Sequence, residues 1–205
     1  MVTSEFTNWQ QRYSTPEFIF GTAPNEFLVR CKGLLPHTGK ALAVADGEGR
    51  NGVFLAQQGL HVTATEFSPA ALAKARMLAA ENNVSVDFIE TDVHTWDYPK
   101  DTFDVVLEIF TQFSTPDERA VKWAGMRSVL KPGGLLIIRG YTPKQLQYGT
   151  GGPKIIENLY TPEMLEKTFG DFNDLVVTEE ELEMSEGARH TGMSAVIGLT
   201  GRKPA

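Results

Sequence analysis

The stretch Ala41-Leu42-Ala43-Val44-Ala45-Asp46-Gly47-Glu48-Gly49-Arg50-Asn51-Gly52 runs from five apolar residues straight into a glycine-rich turn. Helical spacing through Val53, Phe54 and Leu55 follows, and Gly59 closes it. Strand, tight turn and helix in that order form the first half of a βαβ unit, and the chain beyond repeats the alternation. His61 to Glu66 reads as a second strand. Ser68-Pro69 supplies an N-cap and a proline at the first helical position, predicting a helix to about Asn82 with Leu72, Ala75, Leu78 and Ala79 on its buried face. Val84 to Glu90 predicts a third strand. Phe103 to Ile109 predicts a fourth, and its Val105-Val106-Leu107 run suits a strand covered on both faces.

Further along, Thr115-Pro116-Asp117-Glu118 combines an N-cap, a first-turn proline and a glutamate placed to reach back, so a helix should run to about Leu130. Lys131-Pro132-Gly133-Gly134 then predicts a turn into a fifth strand, Leu135 to Arg139. Thr161-Pro162 opens one more helix. Two strands, about Leu175 to Leu182 and Ser194 to Gly201, have no helical pattern between them and should pair antiparallel. The expected fold class is α/β, a doubly wound and mostly parallel sheet ending in an antiparallel C-terminal hairpin. One domain should span residues 1–205, with an N-terminal helical segment over 1–38. The stretch 142–160, glycine-rich and without clear periodicity, is a candidate lid, since long unpatterned loops in compact domains tend to cover sites.

Composition narrows the function classes. The chain has 205 residues, 41% apolar, with 19 basic and 26 acidic side chains for a net charge of −7. That length buries a single core without disulfide or metal staples. The acidic balance, with no basic cluster among aromatics, argues against nucleic acid as a partner. The five glutamates between Thr178 and Glu186 read as a solvated strand or hairpin. The longest strongly apolar stretch, Leu135 to Ile138, is far short of a membrane span, and Met1 to Glu5 has no signal-peptide character, so a cytoplasmic location and no membrane partner are expected. The single cysteine, Cys31, lies among Phe27, Leu28, Leu34 and Leu35 and should be core. The four histidines, at 37, 61, 94 and 190, lack metal-ligand spacing, and no metal site is expected.

A glycine-rich turn after a first strand lets a ligand approach the backbone closely. G-x-G-x-x-G by letter is weak alone, but Glu66 ends the next strand about 20 residues on, where a carboxylate accepts from ribose hydroxyls. A nucleoside-bearing cofactor follows. A dinucleotide would bring its pyrophosphate against Asp46 and Glu48, whereas the cationic sulfonium and amino groups of S-adenosylmethionine suit carboxylates there.

The segment Glu48-Gly49-Arg50-Asn51, with Leu55-Ala56, Gly59 and Val62-Thr63-Ala64-Thr65-Glu66, resembles the class I S-adenosylmethionine-dependent methyltransferases, particularly their tellurite-resistance and thiopurine-methyltransferase-like branch. Phe20 to Asn25, Leu130 to Gly134, Tyr148 to Pro153 and Glu186 to Gly192 are similar to blocks of the same family. The resemblance implies a Rossmann-like seven-stranded sheet with S-adenosylmethionine across the carboxyl ends of its strands. It places Gly47 and Gly49 beside the methionine portion, with Ala45, Asp46, Glu48 and Asn51 also among the cofactor-binding residues. It puts Glu66 on the ribose, Phe67 beside the adenine, Asp92 on the adenine amino group with Val93 adjacent, Ser68 also at the cofactor, and Glu108, Ile109 and Phe110 under the sulfonium and facing the substrate. The family's usual acidic and first glycine positions fall on Ala43 and Ala45, a departure from its pattern.

The expected reaction is methyl transfer to a small-molecule acceptor, a thiol or a chalcogen oxyanion. His190, Glu108 and Tyr141 are the candidates for catalysis, with Phe20, Arg139 and Tyr148 for the acceptor. A hairpin-turn role for His190 and a structural ion pair for Arg139 stay open. So do two other functions, an NAD(P)-dependent oxidoreductase and a non-catalytic S-adenosylmethionine-binding protein.

Overall fold

The computed structural model describes residues 4–187 and 190–205. The glycine-rich turn leaves β1 (Lys40–Val44) and enters α3 (Arg50–Gln57), after two short N-terminal helices, α1 (Ser4–Tyr13) and α2 (Glu26–Arg30). β2 (His61–Glu66), α4 (Pro69–Glu81), β3 (Val86–Glu90), β4 (Phe103–Ile109) and α5 (Pro116–Val129) follow in the expected alternation. β5 (Leu130–Tyr141), α6 (Pro162–Phe169), β6 (Asn173–Glu186) and β7 (His190–Arg202) complete the chain. The order β3-β2-β1-β4-β5-β7-β6 makes one seven-stranded sheet in which β7 alone runs against the rest.

Local signals define the helix starts. Ser68 Oγ accepts from Ala71 N at 3.3 Å, Thr161 Oγ1 accepts from Met164 N at 3.2 Å, and Thr115 with Glu118 forms a reciprocal capping box. Alternation along the central strands divides the core. Leu42, Val44, Val106, Leu136 and Ile138 face α5 and α6, where Trp123 and Phe169 cover them. Ala41, Val105, Leu107, Leu135 and Ile137 face α2 and α3, against Phe27, Leu28, Cys31 and Leu55. A period of two with both faces apolar is what a sheet between two helical layers requires. Cys31 is buried and free. Among the described residues no helix is long and apolar enough to cross a membrane.

Several boundaries differ from expectation. The Lys-Pro-Gly-Gly segment lies inside β5 as an excursion between the pairs Phe103↔Leu130 and Val105↔Leu135. Its backbone is satisfied by the C-terminal tail, Gly133 N donating to Lys203 O at 2.8 Å and Lys203 N to Gly134 O at 3.0 Å. β3 starts at Val86 because Asn83 and Val84 complete the turn out of α4, with bonds to Ala80 O and Ala79 O. β6 and β7 extend to Glu186 and His190, so the acidic run is an edge strand, the kind of charged edge that discourages pairing with other chains.

Candidate functional site

The strand order reverses between β2-β1 and β1-β4, and a cavity of about 830 Å³ opens outside the carboxyl ends of those strands. Crevices at such a switch point are where open α/β sheets bind ligands, and the volume is within the about 300–1,000 Å³ typical of small-molecule sites. Trp9, Tyr13, Ile19 and Phe20 wall it from the N-terminal segment, and residues 149–155 of the loop after β5 wall it opposite. β7 runs in reverse, so its first residue, His190, arrives at the same edge.

Ala45, Asp46, Gly47, Asn51, Glu66 and Phe67 line the end nearest β1 and β2. Glu66 Oε1 accepts from Phe67 N (3.0 Å) and Ser68 N (2.9 Å), and Oε2 accepts from Gly47 N (3.0 Å). A carboxylate has about four acceptor sites, so one stays open toward the cavity. Asp46 Oδ2 accepts from Gly52 N at 2.9 Å, in the first turn of α3. Burial pushes both carboxyls up to about 7, against the pull of those N–H donors. A buried acid, Glu66, and a half-buried one, Asp46, beside one cavity favour a cationic ligand and disfavour a pyrophosphate. Gly47 sits at φ 59° where a Cβ would come 2.9 Å from Tyr13 Oη, and Gly49 at φ 88° where one would come 2.7 Å from Ala75 Cβ. Ala45 (φ 49°) and Phe110 (φ 55°) also occupy the left-handed region, just past β1 and β4, where strained residues gather at binding sites. The acidic donor set and the glycine cradle fit S-adenosylmethionine.

Other expected cofactor residues lie elsewhere. Glu48 is buried, pairs with Lys74 at 2.7 Å and accepts from Ile19 N at 2.9 Å, so it straps the N-terminal segment down. Gly49 packs against Ala75, and Ser68 caps α4. Asp92 pairs with His94 at 2.9 Å, and Val93 is in the core beside Leu42 and Val44. None of these five lines the cavity.

Glu108 also departs from its expected place under the sulfonium. It is 0% exposed, as is Lys122, and the two pair at 2.8 Å. Thr111 Oγ1, Tyr160 Oη (2.8 Å) and Trp123 Nε1 (2.7 Å) donate to the same carboxylate. Burial raises its affinity for protons, yet Lys122 and these donors hold its carboxyl below the ordinary value. A charge satisfied on every side supports the β4–α5 packing and faces no ligand.

At the acceptor end, Phe20, Ile109, Phe110, Tyr141 and His190 line the cavity. The imidazole lies 4.5 Å from the Phe20 ring, 4.7 Å from Phe110 and 5.8 Å from Tyr141, centroid to centroid. Burial lowers the His190 pKa and raises that of Tyr141. Tyr141 Oη and His190 Nδ1 are buried without a hydrogen-bond partner among the described residues. Arg139 is 3% exposed, pairs with Glu180 at 2.8 Å and stacks 4.8 Å from the Phe27 ring centre; it does not line this cavity, and its Nη1 is buried without a hydrogen-bond partner among the described residues. Tyr148 bonds Glu181 outside the cavity. Both therefore part from the acceptor role expected of them.

Gln112 was not legible as a site residue. Its Nε2 donates to Tyr141 O at 2.9 Å and Asn158 O at 3.2 Å, and its Oε1 accepts from Tyr141 N at 2.5 Å. It pins the end of β5 to the loop that walls the cavity, and nothing in local periodicity marks such a residue.

Residues 41–134 match the family model described as a methyltransferase domain. A ubiquinone biosynthesis O-methyltransferase of Marinobacter nauticus is 29% identical over 169 residues, 79% of this chain and 66% of its own length, so the chain spans just under two thirds of that relative. The N-methyltransferase NodS of Bradyrhizobium japonicum, solved with S-adenosyl-L-homocysteine, superposes with a TM-score of 0.74 at 12% identity, covering 99% of this chain and 100% of NodS. TehB of Haemophilus influenzae gives 0.69 at 14% identity, over 97% and 67%. At such identities the solved structures establish the fold. The domain match is confined to residues 41–134, and over nearly the whole chain the solved structures share its Rossmann-like fold.

Proposed function

We propose that this chain transfers the methyl group of S-adenosylmethionine to a small organic acceptor bound among Phe20, Phe110, Tyr141 and His190. One observation carries the reading: a single cavity has a buried carboxylate, Glu66, and a half-buried one, Asp46, at one end and an aromatic wall at the other. The cofactor supplies an electrophilic methyl group on a cationic sulfur that leaves as a neutral thioether. The chain's own part is placement and dryness. Glu66 has an acceptor site for ribose hydroxyls, Asp46 offers charge to the cationic amino group, and Phe67 and Phe113 offer ring faces to the adenine. Trp9, Tyr13 and the 149–155 loop exclude water, so holding acceptor and methyl group in line lowers much of the barrier.

The sequence pointed to a thiol or a chalcogen oxyanion, within the tellurite-resistance-like branch to which the TehB fold gives distant support. A thiol fits the aromatic wall. An oxyanion loses the guanidinium expected to hold it, because Arg139 lies outside the cavity, paired with Glu180. A hydroxyl acceptor is the second reading, favoured by the O-methyltransferase relative and by the unpartnered Tyr141 hydroxyl. Titration calorimetry with S-adenosylhomocysteine, then labelled-methyl transfer to thiols, catechols, selenite and tellurite, tests both steps. Absence of S-adenosylhomocysteine binding at 1 mM-scale concentrations, about −4 kcal/mol, would end the proposal.

A further inference from the structure

We propose that Glu186 positions His190 as the general base of this site, and that the acceptor is accordingly a protic one, a hydroxyl or thiol on a flat organic molecule. The inference rests on the methyltransferase reading and deepens it.

Glu186 closes β6 opposite His190 in the hairpin register, 3.9 Å from Oε2 to Nδ1. It is unusually constrained for a strand-end glutamate. Arg50 Nη2 donates to it at 2.7 Å, Asn25 Nδ2 at 2.8 and 3.1 Å, and Glu26 N at 3.2 Å. Arg50 belongs to the helix after the glycine turn, and Asn25 caps α2, so the starts of two helices converge to hold one carboxylate beside one imidazole. His190 Nδ1 is buried without a hydrogen-bond partner among the described residues, and the nearest carboxylate oxygen is Glu186 Oε2 at 3.9 Å, one short shift from bonding it; with Nδ1 so engaged and the ring lining the cavity, Nε2 is the nitrogen left for the acceptor. Phe20, Phe110 and Tyr141 surround the imidazole with aromatic surface at the cavity wall, which suits a flat molecule.

The charged and titratable groups around His190 are Glu186 from β6, Arg50 from α3 and Tyr141 from β5. Burial holds the imidazole below its ordinary value, Arg50 adds to that, and Glu186 opposes both. At neutral pH the ring is therefore uncharged and able to take a proton. Burial pushes the Glu186 carboxyl up, but the charge and hydrogen bonds around it, Arg50 and Asn25 among them, bring it down to about 2, so it stays ionised beside Nδ1 and favours a proton there. In the step, the acceptor's O–H or S–H bond breaks and its proton passes to Nε2. The freed electron pair bonds the methyl carbon while the carbon–sulfur bonding pair leaves with sulfur. The imidazolium then rests beside the Glu186 carboxylate.

Long-range proton–nitrogen correlation spectra of the whole chain labelled at histidine nitrogen read the tautomer directly, with His190→Gln assigning the signal. Neutral His190 is expected with its proton on Nδ1, and Glu186→Gln should lower its titration midpoint by about one unit while Glu186→Asp restores part of it. A proton on Nε2 in the wild type, or an unmoved midpoint in Glu186→Gln, overturns the positioning role, and the wild-type reading stands even if the variant unfolds. Catechol added with S-adenosylhomocysteine should shift the Nε2 resonance. No shift with catechol or thiophenol, or a shift with tellurite alone, overturns the acceptor class. Calorimetry with S-adenosylhomocysteine separates the two levels, since failure to bind it sinks methyl transfer and leaves the imidazole measurements intact.

Discussion

Replacing Glu66 by glutamine separates the electrostatic cost of a buried carboxylate from its use in binding. In the folded chain burial raises this group from 4.5 to about 7. Between those values the folded state keeps a proton that the unfolded chain releases, so its contribution to stability is complete below about pH 4.5 and is lost as pH rises through about 7. From about pH 5.5 to about pH 8 the loss is about 2 kcal/mol. For a chain of 205 residues that corresponds to about 4–8 °C in midpoint. Glutamine does not titrate there. It forfeits the bond from Gly47 N while keeping a carbonyl for Phe67 and Ser68, at a pH-independent cost of about 1 kcal/mol that cancels between the two conditions. Circular-dichroism melts at both pH values should therefore show the variant gaining about 4–8 °C on the wild type at the higher one. Calorimetry should show S-adenosylhomocysteine affinity falling at least about tenfold, a loss of about 1.4 kcal/mol. A midpoint difference that is the same at both pH values would refute the reasoning, because it would mean that the Glu66 carboxyl is not held protonated by burial.

Lys122→Met strips the buried Glu108 of its counter-charge and should cost about 3–5 kcal/mol by urea unfolding, with Glu108→Gln added on top recovering part of it; a loss below about 1 kcal/mol would contradict the burial of the pair. Gly49→Ala forces a Cβ to 2.7 Å from Ala75 at φ 88°, and should destabilise by about 2 kcal/mol or more in the same assay. Ala45→Gly relieves a left-handed residue and should change stability by less than about 1 kcal/mol, in the stabilising direction, while Ala43→Gly in the buried strand should cost about 1 kcal/mol. Limited proteolysis with and without S-adenosylhomocysteine should show protection at Arg12 and Lys154, which line the cavity; unchanged cleavage at both would count against the N-terminal segment and the 149–155 loop as its walls.

Strand and helix positions were legible because the forces that set them act within a turn or two of the chain. Ser68, Thr115 and Thr161 cap helices through N–H groups three residues away, and the period-two runs in β4 and β5 announce a sheet covered on both sides. Glu66 at the end of β2 and the glycines after β1 were readable for the same reason. The partners of the charges were not. Glu108 stands one residue before the cavity-lining Ile109 and Phe110, yet turns inward, because Lys122, Trp123 and Tyr160 converge on it from elements that follow β4. Glu48 reaches back to Ile19 and forward to Lys74, and Arg139 meets a glutamate 41 positions on in the chain, a separation counted from their numbers. Local pattern specifies backbone hydrogen bonding and which face is apolar. Where a carboxylate or guanidinium ends up depends on desolvation and on the opposite charge brought to it by chain closure, and in this protein that closure sets the difference between a side chain that meets a ligand and one that holds the walls.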